Sequence, residues 1–343
     1  MRRPQVVSMI AACLASLLVL SAGASAAPRL YRARHALRYI AHQQAHNGSI
    51  VAFSPLGSTA DAVLAMSAAK RGPVRVRRAL GYLKRHLSDA ASIGLKAKVV
   101  MAAVSAGRDP RHFGGRNLVH KIKMSERPAG HFGKGKSVID QALAILALFA
   151  AKVQHLHRAG IWLAHAQCPD GGWQFDAPYD SATDSRHCHN SAGGDFTRSD
   201  TNTTAYAEQA LGASLAKPPP VLASPFKYFQ RMRDPIKHGW GYDQNNTLTD
   251  ANSTALVLQT YAAAGMHHPR HAMRALKKLQ YRRCSRHFPY AFAFTWKKTR
   301  SGRFKRTGPD VGATVGAVLG LLQQPLPVLS RTLSKPIPKR AAC

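Results

Sequence analysis

The chain has 343 residues, enough for one large or two ordinary domains. Its 49 Lys and Arg outnumber its 16 Asp and Glu by 33, so the protein attracts polyanions and anionic headgroups. The cations are spread along the chain with no five-residue Lys/Arg run, which points to a solvated basic surface and argues against a specific nucleic-acid role.

The N-terminus reads as an export signal. Arg2 and Arg3 precede a mostly apolar stretch, Val6 to Leu20, and two small-x-small sites follow at Ala22-Gly23-Ala24 and Ala24-Ser25-Ala26. Cleavage is expected after Ala26. The apolar run is short for a spanning helix, so membrane contact is expected to be peripheral at most. The expected mature protein is a domain over 27–324 and a basic, Pro-rich tail over 325–343, whose composition predicts disorder.

A two-part unit then recurs. Its first part is an amphipathic helix with Arg, Lys and His between apolar residues. It is seen at 34–44, 77–87, 157–167 and 271–280, and more weakly at 116–124 and 225–233. Its second part is an Ala-rich helix, apolar on most faces, at 56–70, 93–107, 136–152, 199–214, 249–265 and 309–324. Ser137, Asp200, Asp250 and Asp310 stand where N-caps are needed. The positions equivalent across the six second helices are Thr59, Lys98, Gln141, Thr204, Thr254 and Thr314. Six such hairpins predict an all-α protein, a closed double ring with the apolar helices inside, which needs no polar end caps.

Removal of the signal leaves Cys168, Cys188, Cys284 and Cys343. In an exported chain these allow up to two disulfides in three full pairings. Cys168 and Cys188 flank a glycine-rich loop and are the favoured pair, which leaves Cys284 with Cys343.

The string QCPDGGWQFD at 167–176 carries more. Arg158-Ala159, Trp162-Leu163, Gln167 and Gly171-Gly172-Trp173 together resemble the QW repeat of the squalene cyclase and protein prenyltransferase superfamily. Partial copies are His35-Ala36 with Tyr39-Ile40 and Gln44, Arg78-Ala79 with Tyr82-Leu83, and Phe226 with Gln230 and Gly239-Trp240. The resemblance spans about 35 to 324 and implies an (α/α)6 toroid. It also implies structural roles for Gln167, Trp173 and Trp240. The Gln would cap its own helix and the Trp would cover the junction after a sharp Gly171-Gly172 turn.

The same resemblance sets what to seek as chemistry. Cyclases of this superfamily use an Asp-x-Asp-Asp acid; here the place reads Asp200-Thr201-Asn202-Thr203, and the next unit reads Asp250-Ala251-Asn252-Ser253. Only Asp200 survives as an acid, and it doubles as an expected N-cap. Prenyltransferases hold zinc with Asp, Cys and His. The adjacent His187-Cys188-His189 lacks the turn or more that normally separates zinc ligands, so no metal and no cofactor is expected. Cobalamin carriers share similar helices but need a further β-domain. Polysaccharide-degrading toroids need paired carboxylates facing a cleft. The leading expectation is an exported, non-catalytic toroid that binds an apolar or amphipathic molecule or a protein partner. Its rim would be Phe175, Asp176, Tyr179, Tyr242, Asp243 and Phe294. The alternatives are a diverged terpene cyclase or transferase acting on an isoprenoid through Asp200, and an envelope scaffold that binds polyanions.

Overall fold

The computed structural model describes residues 27–134, 137–176, 188, 197–214, 223–286, 288–329, 332–339 and 343. The expected export signal and Tyr179 lie outside the described residues. The helices, in chain order, are α1 (27–42), α2 (Pro55–Ala68), α3 (Pro73–Arg85), α4 (Ile93–Ser105), α5 (Leu118–Lys123) and α6 (Val138–Ala150). They continue with α7 (His157–His165), α8 (Thr201–Ser214), α9 (Pro225–Arg231), α10 (Ala251–Ala263), α11 (Ala272–Leu279) and α12 (Val311–Leu322). The even-numbered helices pack in sequence, α2 on α4, α4 on α6, and so on to α12, which packs back on α2. The inner ring is therefore closed, and the odd-numbered helices surround it. This is the (α/α)6 toroid, and each observed helix falls within seven residues of its sequence-expected bounds.

Composition explains the two rings. The inner helices are buried on most faces; α10 buries everything from Ser253 to Tyr261. Small residues let them approach closely: a Cβ added at Gly320 on α12 would stand 2.6 Å from the Ala255 Cβ on α10. The outer helices are amphipathic. On α3, Val76, Ala79, Leu80, Tyr82 and Leu83 face inward while Arg77, Arg78, Lys84 and Arg85 stay in solvent. Among the described residues, no helix is long and apolar enough to cross a membrane.

Buried hydroxyls join the loops to the inner helices. The Thr59, Thr204, Thr254 and Thr314 Oγ1 atoms accept the backbone N–H of Ile50, Trp173, Trp240 and Phe292 at 2.9–3.0 Å. Gln141 Oε1 does the same for Phe132 at 2.8 Å. Lys98 departs from this set. The N-cap of its α4 is Ser92, six positions earlier, so the side chain faces the ring centre instead of the loop layer.

The tryptophan and glutamine exchange the roles expected of them. Trp173 Nε1–H donates to the Leu163 carbonyl at 2.7 Å and Trp240 Nε1–H to that of Phe229 at 2.6 Å. The indole thus satisfies an orphan carbonyl near the end of the outer helix. Gln167 instead bonds the Gly171 carbonyl (3.0 Å) and both the carbonyl and N–H of Ala223 (2.7 and 3.2 Å), ahead of α9. Gln44 repeats this, bonding Gly48 and, at 3.0 Å, the Arg75 carbonyl in α3. The glutamine ties one outer helix to the next and does not cap its own. Gly171, at φ +88°, makes the turn that lets it do so.

Short antiparallel pairs fix the loop ends. Strands β1 (Trp173–Gln174) and β2 (Ser199–Asp200) pair, as do β3 (Phe292–Ala293) with β6 (Pro309–Asp310), and β4 (Trp296–Lys298) with β5 (Phe304–Arg306). Cys168 and Cys188 form a disulfide. Cys284 and Cys343 do not join; both are exposed, and the Cys343 thiol contacts the Arg283 carbonyl at 3.6 Å.

The tail corrects a second expectation. Leu326 and Val328 are buried, and the Leu326 N–H donates to Gln209 Oε1 at 2.9 Å. Further on, the Lys335 carbonyl accepts from Gly72 N–H at 3.0 Å, and Ile337 packs against Gly72. Apolar residues spaced through the Pro-rich stretch anchor it across the C-terminal ends of the inner helices.

Candidate functional site

The inner helices enclose a cavity of about 160 Å³. Leu64, Leu256, Val315, Leu319 and Leu326 give it apolar walls, and Leu326 closes the end under the tail. Phe53, 83% exposed, stands at the opposite end beside Ala52 and Gly312. Polar groups converge on these walls: Ser58 and Asp61 from α2, Lys98 from α4, Tyr206 from α8, and Asn252 and Gln259 from α10.

Lys98 Nζ lies 2.7 Å from Asp61 Oδ2, and their side chains are 22% and 32% exposed, so the pair faces open space inside the ring. Burial opposes the charge on Lys98, but Asp61, with Tyr206 and Asp140 beyond it, prevails and holds the ammonium well above the usual lysine range. Burial likewise raises the Tyr206 phenol. A lysine held cationic is a charge and a donor, not a nucleophile. One acceptor completes the site. Gln259 Oε1 is buried with no hydrogen-bond partner among the described residues. Such an atom carries a desolvation penalty until a donor reaches it.

Asp200 is elsewhere. It is fully buried, outside the cavity lining, and both carboxylate oxygens are engaged by its own helix. Thr203 N–H donates to Oδ1 at 2.7 Å and Thr203 Oγ1–H to Oδ2 at 2.6 Å. Burial raises its pKa to about 7 in spite of these bonds. Asp250 has the same arrangement with Ser253, at 2.8 and 2.7 Å, and is raised to about 6. Ser137 and Asp310 accept from Asp140 N–H and Ala313 N–H at the heads of α6 and α12.

The five described residues expected to rim the cavity do not line it. Phe175, Tyr242 and Phe294 offer backbone carbonyls to the first N–H of α6, α8 and α10, at 2.8, 2.7 and 2.8 Å. Each sits two residues past Trp173, Trp240 or Phe292, so a spacing that resembled a rim is an inter-unit backbone staple. Asp243 is buried against Arg198 at 2.7 Å and accepts from the N–H groups of Asn245 and Asn246. Burial opposes its charge, but Arg198 and Asn246 hold the carboxyl below the usual range. Asp176 is exposed and pairs by backbone with Ser137. Among the described residues, no three His, Cys, Asp or Glu are placed to hold a metal ion; His187 and His189 lie outside them.

No protein-family model matches this chain, and no curated protein does. Solved structures match in shape. A variant of a type II terpene cyclase from Scytonema, in complex with geranylgeranyl dihydroxybenzoate, is 12% identical with a TM-score of 0.58, over 86% of this chain and 98% of its own. An α-1,6-mannanase from Salegentibacter is 9% identical with a TM-score of 0.53, over 87% and 98%. A protein from Actinoplanes is 13% identical with a TM-score of 0.51, over 86% and 99%. The chain thus shares the (α/α)6 toroid fold of these structures. One fold here serves a cyclase and a glycosidase, so function has to be read from the site.

Proposed function

We propose that this protein binds a small, largely apolar molecule bearing a hydroxyl or similar donor in the centre of the toroid, and performs no chemistry on it. The observation that carries this reading is the unpartnered buried acceptor Gln259 Oε1 on the wall of a largely apolar cavity. A ligand donor satisfies it, and the Leu and Val walls supply contact area. Size narrows the class. A cavity of roughly 150 Å³ holds benzene, so about 160 Å³ suits a one-ring alcohol or phenol and not an extended isoprenoid chain.

Two features speak against a diverged cyclase. Asp200, the surviving acid, is sealed into a helix cap away from the cavity, and Lys98 is neutralised by Asp61. The export-type N-terminus and the Cys168–Cys188 disulfide support action in an oxidising compartment outside the cytoplasm. Calorimetric titration with a panel of one-ring alcohols and their methyl ethers tests the reading. The alcohols are expected to bind, and their ethers and the Gln259→Leu variant to lose about tenfold, one hydrogen bond's worth. Equal affinity for alcohol and ether would overturn it.

A further inference from the structure

A second site lies on the outside of the ring. Between Asp250 and Asp310 the sequence holds no acidic residue and 13 Lys and Arg. The fold gathers part of this excess. Helix α11 and the β4–β5 hairpin frame a groove of about 580 Å³, separate from the central cavity. Lys277, Lys278, Arg282 and Lys305 line it, together with Arg32 and Arg306. None of these six cations forms an ion pair with a described carboxylate. The crowding is felt: burial, then Arg32 and Arg29, lowers the Lys277 pKa.

Two of the three guanidinium groups are held in place. Arg306 donates to the Gln280 carbonyl at 2.7 Å and lies 4.7 Å over the Tyr281 ring, while Arg32 donates to Gln280 Oε1 at 3.0 Å. They are oriented before any ligand arrives, which lowers the entropy lost on binding.

We propose that this groove docks an acidic polysaccharide, a linear chain whose sulfate or carboxylate groups lie along the cations. Charge complementarity is the basis, and the surroundings decide the class. Aromatic residues are present, but each already has a cation over one face: Lys237 lies 4.8 Å over Trp296 and 4.2 Å over Phe304, and Arg306 lies over Tyr281. That weakens them as platforms for the bases of a single-stranded nucleic acid. The hairpin tip, Thr299-Arg300-Ser301-Gly302, carries no apolar side chain to enter a bilayer. A concave groove lined by six cations suits a flexible polyanion that presents its charges on the chain itself.

The test is fluorescence anisotropy with a labelled sulfated hexasaccharide and a polygalacturonate fragment, at two salt concentrations. The doubly substituted Lys278→Glu, Lys305→Glu protein is compared with Lys121→Glu, Lys123→Glu. All four lysines are exposed and both variants change the net charge equally, but the second pair lies on α5, outside the groove. The groove variant is expected to weaken binding at least about tenfold and to flatten its salt dependence, and the α5 variant by less than about threefold. The milder Lys278→Gln, Lys305→Gln protein falls between. Equal losses in the two Glu variants would remove the groove. Tighter binding of oligothymidine, or of vesicles rich in anionic lipid, would overturn the polysaccharide.

Discussion

Two layers of the inner ring use the same residue types to opposite ends. At the helix heads, Asp200 and Asp250 turn both carboxylate oxygens onto their own first turn, and Thr59, Thr204, Thr254 and Thr314 close the loops above. Around the cavity, Asp61, Lys98, Asn252 and Gln259 face inward, and Gln259 leaves its acceptor oxygen unused. Polar groups saturated locally hold the ring together. Those left unsaturated are where a ligand has something to gain. The pKa values alone would mislead: at about 7, Asp200 has the value of a general acid, but burial set that value and burial also hides it.

The first way to break this comparison is to remove a piece of the upper layer. Trp173 is fully buried and its indole caps the end of α7, so Trp173→Ala is expected to cost about 3–5 kcal/mol in denaturant unfolding. Trp162 is half-buried, and its replacement by Ala is expected to cost clearly less. Similar losses at both would mean that the staple has no special weight.

The lower layer is probed next. Asp61→Asn leaves Lys98 charged and unpaired in the ring and is expected to cost about 1–3 kcal/mol. The double replacement Asp61→Asn, Lys98→Met removes both charges and recovers most of that stability. If the double variant is no more stable than the single one, the two groups are not coupled.

The smallest effect separates cap from catalyst. Folding raises Asp200 from 3.8 to about 7, so between those values the native protein holds a proton that the unfolded chain releases. The contribution of this group is therefore fully present below pH 3.8 and is lost as pH rises through about 7. Asn caps helices nearly as well as Asp. Asp200→Asn is expected to keep the fold and to shrink the fall in melting temperature over that window, with the carboxyls of Asp250 and Glu208, which burial also raises, contributing to what remains. An unchanged slope would show that Asp200 is not buried as described.

Much of the architecture was legible because repetition averages out local ambiguity. Six apolar helices alternating with six basic amphipathic ones admit few arrangements besides a closed double ring. The site was not legible for the opposite reason. Aromatic and acidic residues cluster in the loops after Trp173 and Trp240, as a binding rim would require, but Phe175 and Tyr242 there hand backbone carbonyls to neighbouring helices. The informative anomaly was quieter: Asp61 in GSTADAVLAM and Lys98 in GLKAKVVMAAV are charges facing the centre of the ring from mostly apolar helices. Aligning Lys98 with the loop-closing threonines concealed it. One further shift in helix phase turns a staple position into a cavity position. The tail was misjudged by composition, since Leu326 and Val328 anchor it.

The central claim is that the ring binds without transforming. The most direct test is native mass spectrometry of the mature, disulfide-bonded protein mixed with a one-ring alcohol that it binds, followed by solvent extraction and mass analysis of what returns. One bound molecule per chain, recovered unchanged, and lost in a Leu319→Trp variant whose cavity is filled, is the predicted result. A recovered product of altered mass, abolished by Asp200→Asn, would contradict it and make the protein an enzyme.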